Sequence, residues 1–317
     1  MKNIGIIKGL PKHFSGPAPV ITIGNFDGVH IGHQKIFRAV VEKASEIVGT
    51  PVAMTFEPHP VRVLSPERGL KLITSFRDKS GLIFDTGIKS LICVAFDRDF
   101  AHTGAEEFIK EILVDRLGAK WIIVGHNYSF GRGKRGNATL LRRRGEKYGF
   151  GVSVVRYAKV RGDIVSSSRV RQAVLSGKAG EVSQMLGRAF HIDGVIIKGA
   201  GRGSSLLDTP TANISTENEL IPKEGVYAVR VSFGGRVHDG VANIGKNPTF
   251  KDGVLSYEVH IFDFHRDLLG KRIRVHFLKR IRDEKKFSSV EDLFDQINMD
   301  INKAKEILAD IDVSLYL

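Results

Sequence analysis

The sequence predicts two domains of different class: an α/β domain with a parallel sheet covered by helices, followed by an antiparallel β-barrel closed by a terminal helix. Three observations carry this. Strand and helix signals alternate through the first part of the chain, which argues for parallel strands with helical crossovers. From about Phe190 the helical periodicity stops and short strands bounded by turn residues take over. One long amphipathic stripe then ends the chain. The change near Gly187–Asp193 sets the expected domains at residues 1–187 and 188–317.

The elements follow in order. Val20–Gly24 is an apolar run ending in glycine, a strand. Gly32–Val48 carries Ile36, Phe37, Val40, Val41, Ala44 and Ile47 at helical spacing. Pro51–Phe56, Leu91–Phe96, Trp121–Gly125 and Val152–Tyr157 are further strands. Ala105–Leu117 and Thr139–Tyr148 are helices between strands, and Ser168–Leu175 is a helix stopped by Gly177. In the second part the strands are Val195–Lys198, Val226–Phe233, Val237–Ile244, Leu255–Phe262 and Arg272–Leu278, with Gly234-Gly235 as a hairpin signal. Ser288-Ser-Val-Glu291 has the form of a capping box. Val290, Leu293, Phe294, Ile297, Ile301, Ala304 and Leu308 then form one apolar stripe suited to covering a core.

Composition bounds the function classes. In 317 residues, 42% are apolar, enough for a core in each domain. No apolar run approaches the roughly 20 residues of a membrane span, and Met1–Lys12 lacks a secretory leader pattern, so a cytoplasmic protein is expected. The single cysteine, Cys93, sits in an apolar strand and reads as structural. The net charge of +13 favours anionic partners. It fits a basic surface with weak nucleic-acid affinity or a set of polyphosphate sites, and no nucleic-acid-binding motif is recognisable.

The segment Gly24-Asn-Phe-Asp-Gly-Val-His-Ile-Gly-His33 favours polyphosphate. Here a strand ends, Gly24 and Gly28 permit a tight turn around Phe26 and Asp27, and a helix begins after His30. A helix N-terminus offers free N–H groups and a favourable dipole to phosphate. His30 precedes the helix and His33 lies in its first turn, so both can face one phosphate, with Gly32 between them.

This segment resembles the HxGH signature of the nucleotidyltransferase superfamily, whose fold is a Rossmann-like parallel sheet. Its longer form, with Phe26-Asp27-Gly28, is similar to the adenylyltransferase half of the bacterial-type bifunctional riboflavin kinase/FMN adenylyltransferase (FAD synthetase) family. Phe56-Glu-Pro-His-Pro60 and Gly125-His-Asn-Tyr-Ser-Phe-Gly131 resemble two more family segments, the second with Asn127 where Asp is common. Ser166-Ser-Ser-Arg-Val-Arg171 resembles a helix start usually written ISSTxIR, with Ser168 in place of Thr. The resemblance implies that His30 and His33 contact ATP phosphates, that Ser167 and Ser168 bind leaving phosphates, and that Arg171 adds a fixed charge. Arg132, Lys134 and Arg135 would attract anions as loop cations, and His59 would stiffen or line the flavin side.

Gly199-Ala-Gly-Arg-Gly203 is not a dinucleotide-binding turn, because no helix follows it, and the chain holds no P-loop. The fuller segment through Pro210-Thr-Ala-Asn213 resembles the riboflavin kinase motif, with Asp208 where the family usually has glycine. By that resemblance Gly199, Gly201, Arg202 and Gly203 contact nucleotide or flavin, Thr211 and Asn213 hold Mg²⁺ with hard oxygen atoms, and Glu258 is the catalytic base. Gly225-Val-Tyr-Ala-Val229, Gly240-Val-Ala-Asn-Ile-Gly245, Asn247-Pro-Thr-Phe250 and Arg282-Asp-Glu-Lys-Lys-Phe287 are also family-like. The expected activity is phosphorylation of riboflavin to FMN, then adenylylation of FMN to FAD, both with ATP. Neither a nucleic-acid nor a membrane partner is implied.

Overall fold

The computed structural model describes residues 5–198, 211–246, 255–264 and 266–312. The chain forms two compact units, Met1–Ser167 and Ser168–Leu317.

The first unit is built on β1 (Ile6–Lys8), β2 (Val20–Ile23), α1 (Ile31–Glu46), β3 (Pro51–Glu57), α2 (Phe76–Asp85), β4 (Ser90–Ala95), β5 (Trp121–Gly125), α3 (Ala138–Tyr148) and β6 (Gly151–Val155). Its six strands run β1-β4-β3-β2-β5-β6, and every pair is parallel. Successive strand residues face opposite sides of a sheet. Val20, Ala53, Leu91 and Ile123 accordingly join Phe37, Val40 and Ala44 of α1 and Ile83 of α2 in one core. Ile21, Val52, Met54, Ile92, Ile122 and Val124 join Ile109, Leu113 and Leu141 in the other. Both faces are covered, which explains why these strands read as continuous apolar runs. The helix expected at Ala105–Leu117 is a turn of α-helix followed by a π-helix, Phe108–Arg116. The expectation omitted α2, whose buried positions include Asp78, Lys79 and Ser80. Those polar side chains hide its apolar face from a periodicity reading.

The strand order reverses between β2 and β5. In an open parallel sheet this switch point leaves a crevice at the carboxyl ends of the strands. The turn Gly24–His30 leaves β2 there, and the loop from His126 leaves β5 there.

Helix α4 (Ser167–Leu175) begins at the last residue of the first unit. The second unit continues with α5 (Ala179–Leu186), β7 (Phe190–Ile197), β8 (Thr211–Thr216), β9 (Gly225–Phe233), β10 (Arg236–Lys246), β11 (Leu255–Ile261), β12 (Arg272–Arg282) and α6 (Val290–Ala309). The strands close a barrel in the order β7-β8-β11-β10-β9-β12, with antiparallel neighbours throughout. Closure removes the sheet edges. Gly234 and Gly235, at φ 55° and 74°, join β9 to β10 as the hairpin expected of them. Strand β7 begins at Phe190, earlier than the expected Val195, and β8 was not expected as a strand.

Helix α6 packs Ala304, Ile307 and Leu308 against Ala228, Phe262 and Leu278 of the barrel unit. Buried Asp300 accepts from both Arg282 Nε and Nη2, the shortest bond being 2.7 Å. The cap differs from expectation by one residue. Ser289 is the N-cap and accepts from the Asp292 N–H at 3.0 Å, while the Ser288 hydroxyl donates to the Asp292 carboxylate.

Candidate active sites

The first site is the turn from β2 into α1. Phe26 and Val29 take positive φ of 51° and 42°, and Gly28 takes 81°. For a β-branched residue such as Val29 this is a rarely populated conformation, held only where surroundings over-determine it. The surroundings are visible. The buried Asp27 carboxylate accepts from the Ile73 N–H at 3.0 Å and the Thr74 N–H at 3.2 Å, and Gly28 N–H donates to the Thr74 hydroxyl at 3.1 Å. A Cβ on Gly28 would sit 2.9 Å from Ile73 Cδ1, so only glycine fits. Asp27 thus fastens the turn to the Ile73–Thr74 segment. Its carbonyl accepts from the Ser167 hydroxyl at 2.9 Å, which fixes the start of α4 to the same turn.

His30 is the N-cap of α1, its ring nitrogen accepting from the His33 N–H at 3.3 Å. The two imidazoles stack at 3.6 Å with 18° between their planes. Phe26 closes on His33 edge-to-face at 5.3 Å and on Phe37 at 4.7 Å. A Cβ on Gly32 would lie 3.1 Å from the His30 ring, so this glycine makes room for the ring itself. Burial, then the His30 ring and the Lys79 ammonium, hold the His33 imidazole well below the ordinary histidine value. His33 is therefore neutral at neutral pH, with one N–H to donate. Its Nδ1 is buried without a hydrogen-bond partner.

The other expected residues divide. Asn127 lies exposed on the loop after β5, at the switch point. Arg132, Lys134 and Arg135 are exposed on the same loop. Ser168 and Arg171 follow Ser167 along α4, on the other side of the division between units. His59 caps the short helix Pro60–Leu64 by accepting from the Val61 N–H at 3.2 Å, the stiffening role weighed for it. Burial raises the Cys93 thiol, which suits a structural cysteine.

The second site lies in the barrel. Glu258 on β11 pairs in register with Asn213 of β8 on one side and Asn243 of β10 on the other. Three polar side chains therefore stand abreast across three strands. Burial, then the Glu284 carboxylate, push Glu258 above the ordinary carboxylate value. Asn243 Oδ1 is buried and has no hydrogen-bond partner. Glu284 packs directly against Gly245, where any Cβ would collide with its carboxylate. Thr211 begins β8, opposite His260. Gly199, Gly201, Arg202 and Gly203, with Asp208 and Asn247–Phe250, lie outside the described residues.

Sequence reasoning assigned no role to Asn243, Glu284 or Lys79. The first two stand in segments noted as family-like, but strand pairing is what brings them to Glu258. Lys79 had a local signal: it shares one helix face with Phe76 and Ile83, three residues before and four after it.

Both halves of the chain match known families. Residues 15–169 match the FAD synthetase family and residues 186–308 match the riboflavin kinase family. A bifunctional riboflavin kinase/FMN adenylyltransferase of Escherichia coli K12 is 35% identical over 304 residues, 95% of this chain and 97% of that protein. A protein of the same description from Haemophilus influenzae is 35% identical, covering 90% of this chain and 92% of its own. A crystal structure described as a macrolide-efflux protein from Streptococcus pneumoniae is 31% identical and superposes with a TM-score of 0.87, covering 98% of this chain and 100% of its own. Among the described residues, no helix of this chain is long and apolar enough to cross a membrane. With identity above 30% along almost its whole length and both halves matched in order, the chain belongs to the bifunctional riboflavin kinase/FMN adenylyltransferase family.

Proposed function

We infer that this chain makes FAD from riboflavin in two ATP-dependent steps. The carrying observation is that a stacked histidine pair at a helix start and a half-buried barrel glutamate occur in one chain, each inside the matching family half. We assign adenylyl transfer to residues 1–187 and riboflavin phosphorylation to residues 188–317.

In the kinase step Glu258 accepts the proton of the riboflavin 5′-hydroxyl as that oxygen attacks the γ-phosphorus of ATP. Burial among the barrel strands raises its pKa and makes it a stronger base than a surface carboxylate. Thr211 and Asn213 would hold Mg²⁺. The fit rests on hard oxygen donors and on the orphaned carbonyl oxygen of Asn243, which flanks Glu258 on the side opposite Asn213. Bound there, the ion would neutralise charge on the ATP phosphates. Gly199, Gly201, Arg202 and Gly203 would border the same phosphates.

In the adenylyl step an FMN phosphate oxygen attacks the α-phosphorus of ATP and pyrophosphate leaves. The protein must align two anions and stabilise charge as it develops. His30 and His33 offer imidazole contacts to the ATP phosphates at the N-terminus of α1, where the dipole adds to them. Gly24, Phe26, Asp27 and Gly28 set that turn. Ser167, Ser168 and Arg171 would receive the leaving phosphates, and Asn127 would contact sugar or phosphate from the β5 loop. We place the enzyme in the cytoplasm, acting on small molecules without nucleic acid or membrane.

Incubation with riboflavin, ATP and Mg²⁺, with flavins separated by chromatography over time, tests the reading. FMN appearing first and FAD after it is expected. No flavin product from folded protein would overturn it.

A further inference from the structure

Among the described residues of the first unit, the mechanism above leaves the buried cation Lys79 unused. Lys79 lies on α2 with its side chain 8% exposed. Its ammonium stands 3.8 Å from Glu57 Oε2, beyond hydrogen-bond distance, and it makes no hydrogen bond among the described residues. An ammonium carries three donors, and burying it without hydrogen bonds is costly. Burial lowers its pKa, while Glu57 at the end of β3, Asp27 of the turn and Cys93 of β4 oppose that, and His33 of α1 faces it electrostatically. The Asp27 carboxylate is already held by the Ile73 and Thr74 N–H groups. Glu57 is 39% exposed and out of reach for a direct bond. The ammonium also stands 5.5 Å from the centre of the Phe76 ring, which takes none of its N–H donors, so they are left over on the helix that directly follows Ile73 and Thr74, the segment bonded to the histidine turn. His33, being neutral, brings no charge there.

We propose that the Lys79 ammonium binds a phosphate group of the adenylyl-transfer substrates beside the His30–His33 pair. This rests on the reading of that pair as the adenylyl-transfer site. The phosphate could belong to ATP or to FMN, and the kinetics separate the two.

The test uses the full chain with Lys79→Met and Lys79→Arg. FMN adenylylation is followed with each substrate varied, riboflavin phosphorylation is followed in the same preparations, and melting temperature is recorded. Lys79→Met should lower kcat/KM for adenylylation by roughly 100- to 1,000-fold, leave phosphorylation unchanged, and keep or raise the melting temperature. A raised KM for ATP assigns the contact to nucleotide phosphate, a raised KM for FMN to the flavin phosphate, and a fall in kcat alone to charge in the transition state. Lys79→Arg should retain part of the activity and move the alkaline limb of the pH profile upward. A merely structural lysine predicts otherwise: a lower melting temperature, with Glu57→Gln reproducing the loss. That result, or adenylylation unchanged in Lys79→Met, overturns the proposal. His30→Asn separates the two levels of failure. If it leaves FAD formation intact, the site reading itself falls; if it abolishes FAD formation while Lys79→Met does not, only the lysine proposal falls.

Discussion

The two sites use burial in opposite ways. In the first unit burial drives a base toward its neutral form: the His33 pKa falls, leaving an imidazole that donates without carrying charge. In the barrel burial also favours the neutral form, but of an acid: the Glu258 pKa rises, giving a carboxylate that binds a proton more readily. One physical cause thus suits His33 to the aligning role and Glu258 to the proton-accepting role proposed for them. The frameworks differ to match. The histidines stand on one strained turn and one helix start, local in sequence. Glu258 draws its neighbours from strands about 45 residues before it and 15 residues before it, so the barrel must close before the site exists.

The largest expected effect separates the activities. Glu258→Gln keeps the side-chain volume but cannot accept the proton, so riboflavin phosphorylation should fall by roughly 100- to 10,000-fold. FMN adenylylation by the same variant should be unchanged. Equal loss of both would make Glu258 structural. A somewhat smaller effect is expected at the other site. His30→Asn preserves an N-cap acceptor for the His33 N–H while removing the imidazole. FAD formation should fall by roughly 100-fold or more while FMN accumulates, read from the same chromatogram.

The pH profiles sharpen the contrast. A raised Glu258 pKa means that its basic form is lost as pH falls through a value above the ordinary 4.5, so the acid limb of the kinase should lie above it. A lowered His33 pKa means that its neutral form survives below the ordinary 6.5. His33 should therefore contribute no limb at that value to FMN adenylylation, read by comparing the pH profiles of the native chain and His33→Asn. A histidine-like limb there that disappears in His33→Asn would contradict neutral donation by His33.

The sequence was readable where structure is local. The histidine turn, the Gly234-Gly235 hairpin and the alternating layers each depend on residues close in the chain, so spacing and glycine placement suffice. The surroundings of Asp27 and Lys79 were not readable, because Ile73, Thr74 and Glu57 reach them only through folding. Asp27 stands inside the motif proposed to bind phosphate, yet its carboxylate holds two backbone N–H groups. Its presence in the motif reflects the shape of the turn. In the barrel, the row of Asn213, Glu258 and Asn243 follows from strand register, and neither of the flanking strands would reveal its partner without closure.

The start of α6 offers the smallest and cleanest discrimination between reading and structure. The pattern Ser288-x-x-Glu291 points to Ser288 as the cap, whereas the Ser289 hydroxyl is the group that accepts from a helical N–H. Removing a true N-cap acceptor typically costs about 1 kcal/mol. Ser288 instead donates to the Asp292 carboxylate at an exposed position, where such bonds contribute less. Ser289→Ala should therefore destabilise the barrel unit by about 1 kcal/mol, and Ser288→Ala by a smaller amount, measured by denaturant unfolding with phosphorylation activity as the probe. Because α6 packs Ala304, Ile307 and Leu308 onto the barrel unit, the loss should register in kinase activity at lower denaturant and leave the adenylylation midpoint in place. The reverse order of the two serines would move the cap back to the residue that the pattern alone suggests.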